Sequence, residues 1–206
     1  MARLMRALVL LLFVAGMGFW ASTWWREEST AQQATSGGVA VPGGVEIGGH
    51  FNLVGADGKA VTDADFRGKV MLVYFGYTFC PDVCPTELQT IAASLALLGD
   101  QAAKVASVFI TIDPERDTPK AMGEYVKLFD ERIVGLTGSA DQIASVAKAY
   151  RVYYAKADAK GASTYLMDHS SFIYVMGPDG GFRALIKPGA QAADLAQALR
   201  AQLPHS

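Results

Sequence analysis

Only two of the 206 residues are cysteines and only three are histidines. No cysteine lies just after the apolar run near the N-terminus, which excludes a lipid anchor attached there. Lysine and arginine total 18 against 20 acids, and no basic stripe offsets the net charge of −2. That balance argues against a nucleic-acid partner, which is gripped through clustered cations. No internal repeat recurs, so stacked-repeat architectures are excluded. The N-terminus also lacks the long Arg- and Ser-rich lead of a mitochondrial transit peptide.

Charge is missing from one long stretch. Ala7–Trp25, "ALVLLLFVAGMGFWASTWW", has no ionisable side chain and matches the roughly 17–25 residues that cross a bilayer as a helix. The apolar part of a cleaved signal peptide is shorter, about 7–15 residues. Trp20, Trp24 and Trp25 close the run as an interfacial belt would. The run therefore predicts an uncleaved N-terminal transmembrane helix, with a membrane anchor over residues 1–26. Arg3 and Arg6 precede it without an acid, which keeps the short tail in the cytoplasm and exports the rest. The placement expected is the bacterial inner membrane, single-pass, with the C-terminal domain in the periplasm. Residues 27–45, small, polar and Gly-rich, read as a flexible tether. Residues 46–206 fit one domain, long enough to build an apolar core without a disulfide.

Within that domain the pattern alternates. "FNLVGADGKAVT" predicts a hairpin around Asp57-Gly58. "KVMLVYFGY", 69–77, and "VASVFITID", 105–113, read as strands covered on both faces. Leu88, Ile91, Leu95 and Leu98 share one side of a helix over 85–98, with Pro85 as its first residue. Further helices are predicted over 119–129 behind Thr118, over 140–150 behind Ser139, and over 190–202. "IVGLTG" reads as a short strand, and "SFIYVMGPDGGFRALI" as two strands joined at Pro178–Gly181. This order predicts an α/β sandwich with a mixed β-sheet and an N-terminal β-hairpin extension. Ligands gather at the carboxyl ends of strands in such sheets. The first strand–helix turn there, "GYTFCPDVCP", holds both cysteines, Cys80 and Cys84.

Three chemistries suit two thiols so placed. A structural disulfide is possible in an oxidising compartment, but so small a loop removes little chain entropy. A redox dithiol would draw on the positive end of the helix, although C-x-x-x-C is one residue longer than the thioredoxin-like spacing and Asp82 opposes a second negative charge. A metal site would use the thiolates for a soft ion, Cu(I) or zinc. Structural zinc wants four protein ligands. Of the histidines, His205 is at the tail and His50 opens the hairpin, while His169 precedes the strand at 172–176. If that strand lies beside 69–77, the loop holding His169 approaches the thiols. A lone histidine beside a strand is also commonly a packed or surface residue. Asp168 is placed either to orient a ligand or as a turn residue. "DPERDTP", 113–119, reads as an ion-paired loop fixing a helix entry, or as a polar docking rim made by Asp113, Glu115, Arg116 and Asp117. Tyr74, Phe75 and Tyr77 read as core or pocket wall, and Met122, Met167 and Met176 as packing.

"GYTFCPDVCPTEL", "ITIDPERDTP" and "DHSSFIYVMGPDG", in this order and spacing behind an anchor, resemble the Sco/SenC copper-chaperone family. The likeness extends from Ile47 to about Leu203. It implies a thioredoxin-like fold and one copper ion per chain, Cu(I) or Cu(II), on Cys80, Cys84 and His169. Asp168 and Asp82 would flank these ligands, and Cys80 and Cys84 would be the redox pair in any thiol chemistry. The family's role implies assembly of the dinuclear copper centre of cytochrome c oxidase subunit II, with other copper carriers as partners. The alternative is a thiol–disulfide reductase acting on that subunit or on other exported proteins. A peroxiredoxin-like peroxidase is disfavoured, because C-x-x-x-C leaves little room for separate peroxidatic and resolving thiols.

Overall fold

A computed structural model of the protein describes residues 38–39, 46–157 and 165–203. The anchor predicted over 1–26, most of the tether predicted over 27–45, and His205 lie outside the described residues. No helix among the described residues is long and apolar enough to cross a membrane.

Ten strands and four α-helices are described, in chain order. They are β1 (Gly38–Val39), β2 (Asn52–Gly55), β3 (Ala60–Thr62), β4 (Val70–Gly76), α1 (Val83–Leu98), β5 (Val105–Thr111), α2 (Pro119–Lys127), β6 (Ile133–Thr137), α3 (Ala140–Ala149), β7 (Tyr154–Ala157), β8 (Leu166–His169), β9 (Ile173–Met176), β10 (Phe182–Ile186) and α4 (Ala192–Arg200). Eight strands form one sheet in the order β1-β10-β9-β4-β5-β6-β2-β3, and β7 pairs with β8 separately. The pairs β4–β5 and β5–β6 are parallel and the others are antiparallel, so the sheet is mixed as expected.

Every residue of β4, β5 and β9 is buried, which accounts for their unbroken apolar sequences. Along β4, successive side chains leave on opposite faces. Phe75 joins a cluster with Tyr150 and Tyr174, at centroid distances of 5.4 and 5.9 Å. Tyr74, on the other face, stacks on Phe109 at 5.9 Å. Leu88, Ile91, Leu95 and Leu98 of α1 are all buried, and α1 packs against α4. Each such side chain stabilises the fold by roughly 1.5–3 kcal/mol relative to exposure. Met122, Met167 and Met176 are buried as well.

Local signals act where the sequence put them. Thr118 caps α2 by accepting from the Ala121 N–H, and Ser139 forms a capping box with Gln142. Gly58 takes φ 78° in the β2–β3 turn, where a side chain would be strained. The predicted hairpin is present and continues the sheet through β6.

Three details differ from expectation. The tether is not free throughout, because Gly38–Val39 pairs with Leu185 and Ile186 of β10. Helix α1 begins at Val83 rather than Pro85, so Cys84 lies within its first turn. The first N–H groups of a helix have no intrahelical acceptor, so a proline there sacrifices no bond. The β7–β8 hairpin was not foreseen. It carries His169 at its end, paired with Tyr154.

Candidate metal centre

The antiparallel pairing of β9 with β4 brings the two distant segments together. Tyr74 lies opposite Ile173, so the chain just before β9 arrives at the end of β4 where the cysteines follow. The β8 strand is held there through Tyr77, whose hydroxyl accepts the Met167 N–H at 3.2 Å. The Tyr77 and Tyr74 rings stand in T-shaped arrangements with the His169 imidazole, with centroids 6.0 and 6.4 Å away.

Nε2 of His169 lies 3.4 Å from the Cys84 sulfur. Nδ1 lies 3.1 Å from the Ser170 carbonyl oxygen. A carbonyl only accepts, so Nδ1 carries a proton and the bond fixes the ring with Nε2 turned toward the thiols. The Cys84 N–H donates to the Cys80 sulfur at 3.4 Å. Both cysteines are free, and one donor atom from each of Cys80, Cys84 and His169 lies within 4.8 Å of the other two.

The two thiols are unequal. The Cys84 thiol, hydrogen-bonded to Cys80, holds Cys80 down to about 3 against the effect of burial, and His169 and the backbone N–H groups of Asp82 and Cys84 add to the depression. Cys84 is pushed up, by its bond to the Cys80 sulfur and by its own burial. One thiolate and one thiol therefore share a proton at the start of α1. Gly76 leaves the room they need, since a Cβ at that position would lie 2.6 Å from the Cys84 sulfur.

Two expected neighbours stand differently. Asp168 is exposed, and successive residues of a strand face opposite ways. The orienting contact of His169 is the Ser170 carbonyl, and no hydrogen bond joins Asp168 to the ring. The Asp82 carboxylate is exposed, and this residue reaches the site through its backbone N–H. The segment after β5 is richer than an ion-paired loop. Asp117 is buried, accepting the Thr78 N–H at 3.1 Å and the Thr111 hydroxyl at 2.6 Å. Asp113 pairs with Arg116.

A sequence model of the SCO1/SenC family matches residues 40–204. The chain belongs to the SCO1/SenC family. It is 38% identical over 195 residues to "Protein sco1" of Schizosaccharomyces pombe, covering 93% of this chain and 74% of that protein. It is 47% identical over 141 residues to "Protein SCO1 homolog 1, mitochondrial" of Arabidopsis thaliana, which covers 68% of this chain and 42% of the relative. Among solved structures, ScoI of Bradyrhizobium japonicum with copper bound is 44% identical. It superposes with a TM-score of 0.71 over 76% of this chain and 99% of that one. The SCO1/SenC fold is thioredoxin-like, and the mixed sheet described above conforms to it.

Several SCO1/SenC site features had little or no sequence signal. Gly76 is one of 21 glycines, and nothing in its neighbours marks the close approach. Glu87, one turn after Cys84, is buried and accepts the Gly189 N–H at 2.7 Å. Its place on the apolar side of α1 was the available clue. Tyr165 follows residues with no regular pattern, and its contact with the segment after β5 could not be read in advance.

Proposed function

We propose that the protein is a membrane-anchored copper chaperone that holds one copper ion through Cys80, Cys84 and His169. In this role it helps assemble the dinuclear copper centre of cytochrome c oxidase subunit II. The observation that carries the reading is the convergence of two sulfurs and one imidazole nitrogen within 4.8 Å. Two thiolates select soft ions, and three donors satisfy copper where structural zinc wants four. The copper-bound state of the Bradyrhizobium relative supports the same cargo. Copper is exchanged stepwise to sulfur or imidazole ligands of the receiving subunit. Loading needs both thiols deprotonated, so Cys84 gives up its proton as copper enters.

The test is an anaerobic copper titration of the full chain, with and without His169→Ala, followed by X-ray absorption at the copper edge. One copper per chain with sulfur and nitrogen neighbours is expected, and the variant should lose the nitrogen contribution and most of the affinity. A wild-type chain that takes up no copper, or copper with sulfur neighbours alone, would refute the reading.

One observation favours a second activity. Cys80 is held as a thiolate beside a protonated partner, the state from which a dithiol attacks a disulfide. A thiol reductase acting on cysteines of the oxidase subunit would use this pair. His169→Ala separates the roles, because it cripples copper binding and spares dithiol exchange.

The apolar run Ala7–Trp25 supports a single-pass anchor in a bacterial inner membrane with the domain in the periplasm. Retention in the membrane fraction after carbonate washing, with the domain digested by protease added to spheroplasts, is the expected result. Release by carbonate or protection from protease would contradict it.

A further inference from the structure

We infer that Asp113–Asp117 is a two-sided clamp that sets the distance between the thiol loop and His169, with Arg116 as its positioning residue. The inference rests on reading Cys80, Cys84 and His169 as one copper site.

One side of the clamp grips the cysteine loop. Asp117 accepts the backbone N–H and the hydroxyl of Thr78, two residues before Cys80. The Arg116 guanidinium carbon lies 4.7 Å from the ring centroid of Phe79, which directly precedes Cys80. Phe79 keeps 55% of its surface exposed with the guanidinium in place, so Arg116 is a contact the ring makes at an otherwise open surface. The other side grips the hairpin that carries His169. Arg116 lies 3.8 Å over the Tyr165 ring and donates to the Tyr165 carbonyl at 3.0 Å. The Tyr165 hydroxyl donates to Asp113 at 2.8 Å, and Asp113 in turn pairs with Arg116. Lys156, on β7 opposite Met167, reaches Glu115 at 2.7 Å.

A single planar cation thus contacts both an aromatic from the thiol loop and one from the imidazole hairpin. The hairpin pairs with itself and adds no strand to the large sheet. Its position against the cysteines is set at the His169 end by β9, which follows after three residues, and elsewhere by such side-chain ties and the Tyr77 contact. Arg116 fits this task because a guanidinium stacks on rings on both faces while its edge donates hydrogen bonds. Lysine keeps the charge and loses the plane. The clamp touches none of the three donor atoms, so it acts by fixing where the ring stands. Loss of such supporting contacts typically weakens metal binding about ten- to a hundredfold.

The experiment compares Cu(I) affinity of the full chain as wild type, Arg116→Lys, His169→Ala and the double variant. We expect Arg116→Lys to weaken binding at least about tenfold. The double variant should bind no more weakly than His169→Ala alone, since a clamp has no effect once the ring is gone. Tyr165→Phe, which removes only the hydroxyl's bonds to Asp113 and Glu115, should shift affinity in the same direction by a smaller factor. Wild-type affinity in Arg116→Lys, or full additivity in the double variant, overturns the clamp. If the wild-type chain takes up no copper, the copper reading fails instead. The clamp is then decided by the imidazole NMR signals of His169 in metal-free protein: displacement in Arg116→Lys upholds it, and an unchanged signal overturns it.

Discussion

The Cys84 sulfur lies 3.4 Å from Nε2 of His169, a residue 85 positions further along the chain. No local preference makes that contact. It follows from the antiparallel insertion of β9 beside β4, which delivers the end of β8 to the turn where α1 begins. The thiols come from a strand–helix turn and the imidazole from the open end of a hairpin, so the site joins two separate segments.

Gly76→Ala should destabilise the fold and disturb the site together. The added carbon would lie 2.6 Å from the Cys84 sulfur and 2.8 Å from the Phe109 ring. Both neighbours are buried, so neither moves cheaply. A loss of about 1–3 kcal/mol is expected from such overpacking. Chemical denaturation measures it, and an unchanged midpoint would contradict the close approach.

Cys80 should react far more readily than Cys84. With its thiol held at about 3, Cys80 is a thiolate throughout the neutral range, while Cys84 keeps its proton. Alkylation of the metal-free, reduced protein should therefore fall on Cys80 at a rate nearly constant from pH 5 to pH 8. The rate should drop only as the pH approaches 3. Peptide mapping by mass spectrometry identifies the modified residue. A rate rising tenfold per pH unit in the neutral range would refute the assignment.

Two buried carboxylates should give opposite pH slopes. Burial alone would raise Asp63, but the Phe51 N–H, Arg67 and His50 outweigh it and leave the carboxyl below its ordinary value of 3.8. Its contribution to stability is present above that value and lost as the pH falls through the lower folded one. Asp63→Asn should thus cost stability at pH 6 and converge with wild type in strong acid. Glu87 is raised above 4.5, chiefly by burial, against the Gly189 N–H. Its contribution is present below 4.5 and fades as the pH climbs through the higher folded value. Glu87→Gln should therefore gain on wild type as the pH rises from 4.5 toward neutrality. Urea unfolding across pH 3–7.5 measures both, and parallel curves for either variant would reject its assignment.

The elements legible in the sequence were those with a one-dimensional signal. The apolar runs of β4 and β5, the four leucine-type positions of α1, and the caps at Thr118 and Ser139 all marked real boundaries. The two thiols were nameable because cysteine is so rare, whereas His169, raised by its place before a strand, was chosen through the family resemblance. What could not be read was contact between segments far apart in the chain. The β7–β8 hairpin is built from short, half-buried strands whose pattern is too brief to separate from a loop. Asp117 looked like a surface acid because its donors, Thr78 and Thr111, are identified only by the parallel alignment of β4 with β5. Asp168 looked suited to orient its neighbour, and the alternation of a strand turned it outward.

That alignment also constrains chain length. Gly76 stands level with Thr111, so the segments leaving β4 and β5 depart from a common ledge. Adding one residue to either strand would carry its outgoing segment about 3.3 Å further and invert its side chains. Thr78 and Asp117 would then no longer meet. Chain length is accordingly locked on this ledge, while the β9–β10 turn lies at the other ends of the strands, where the Pro178 carbonyl accepts the Gly68 N–H at 2.9 Å and neither thiol nor the His169 imidazole is within its reach.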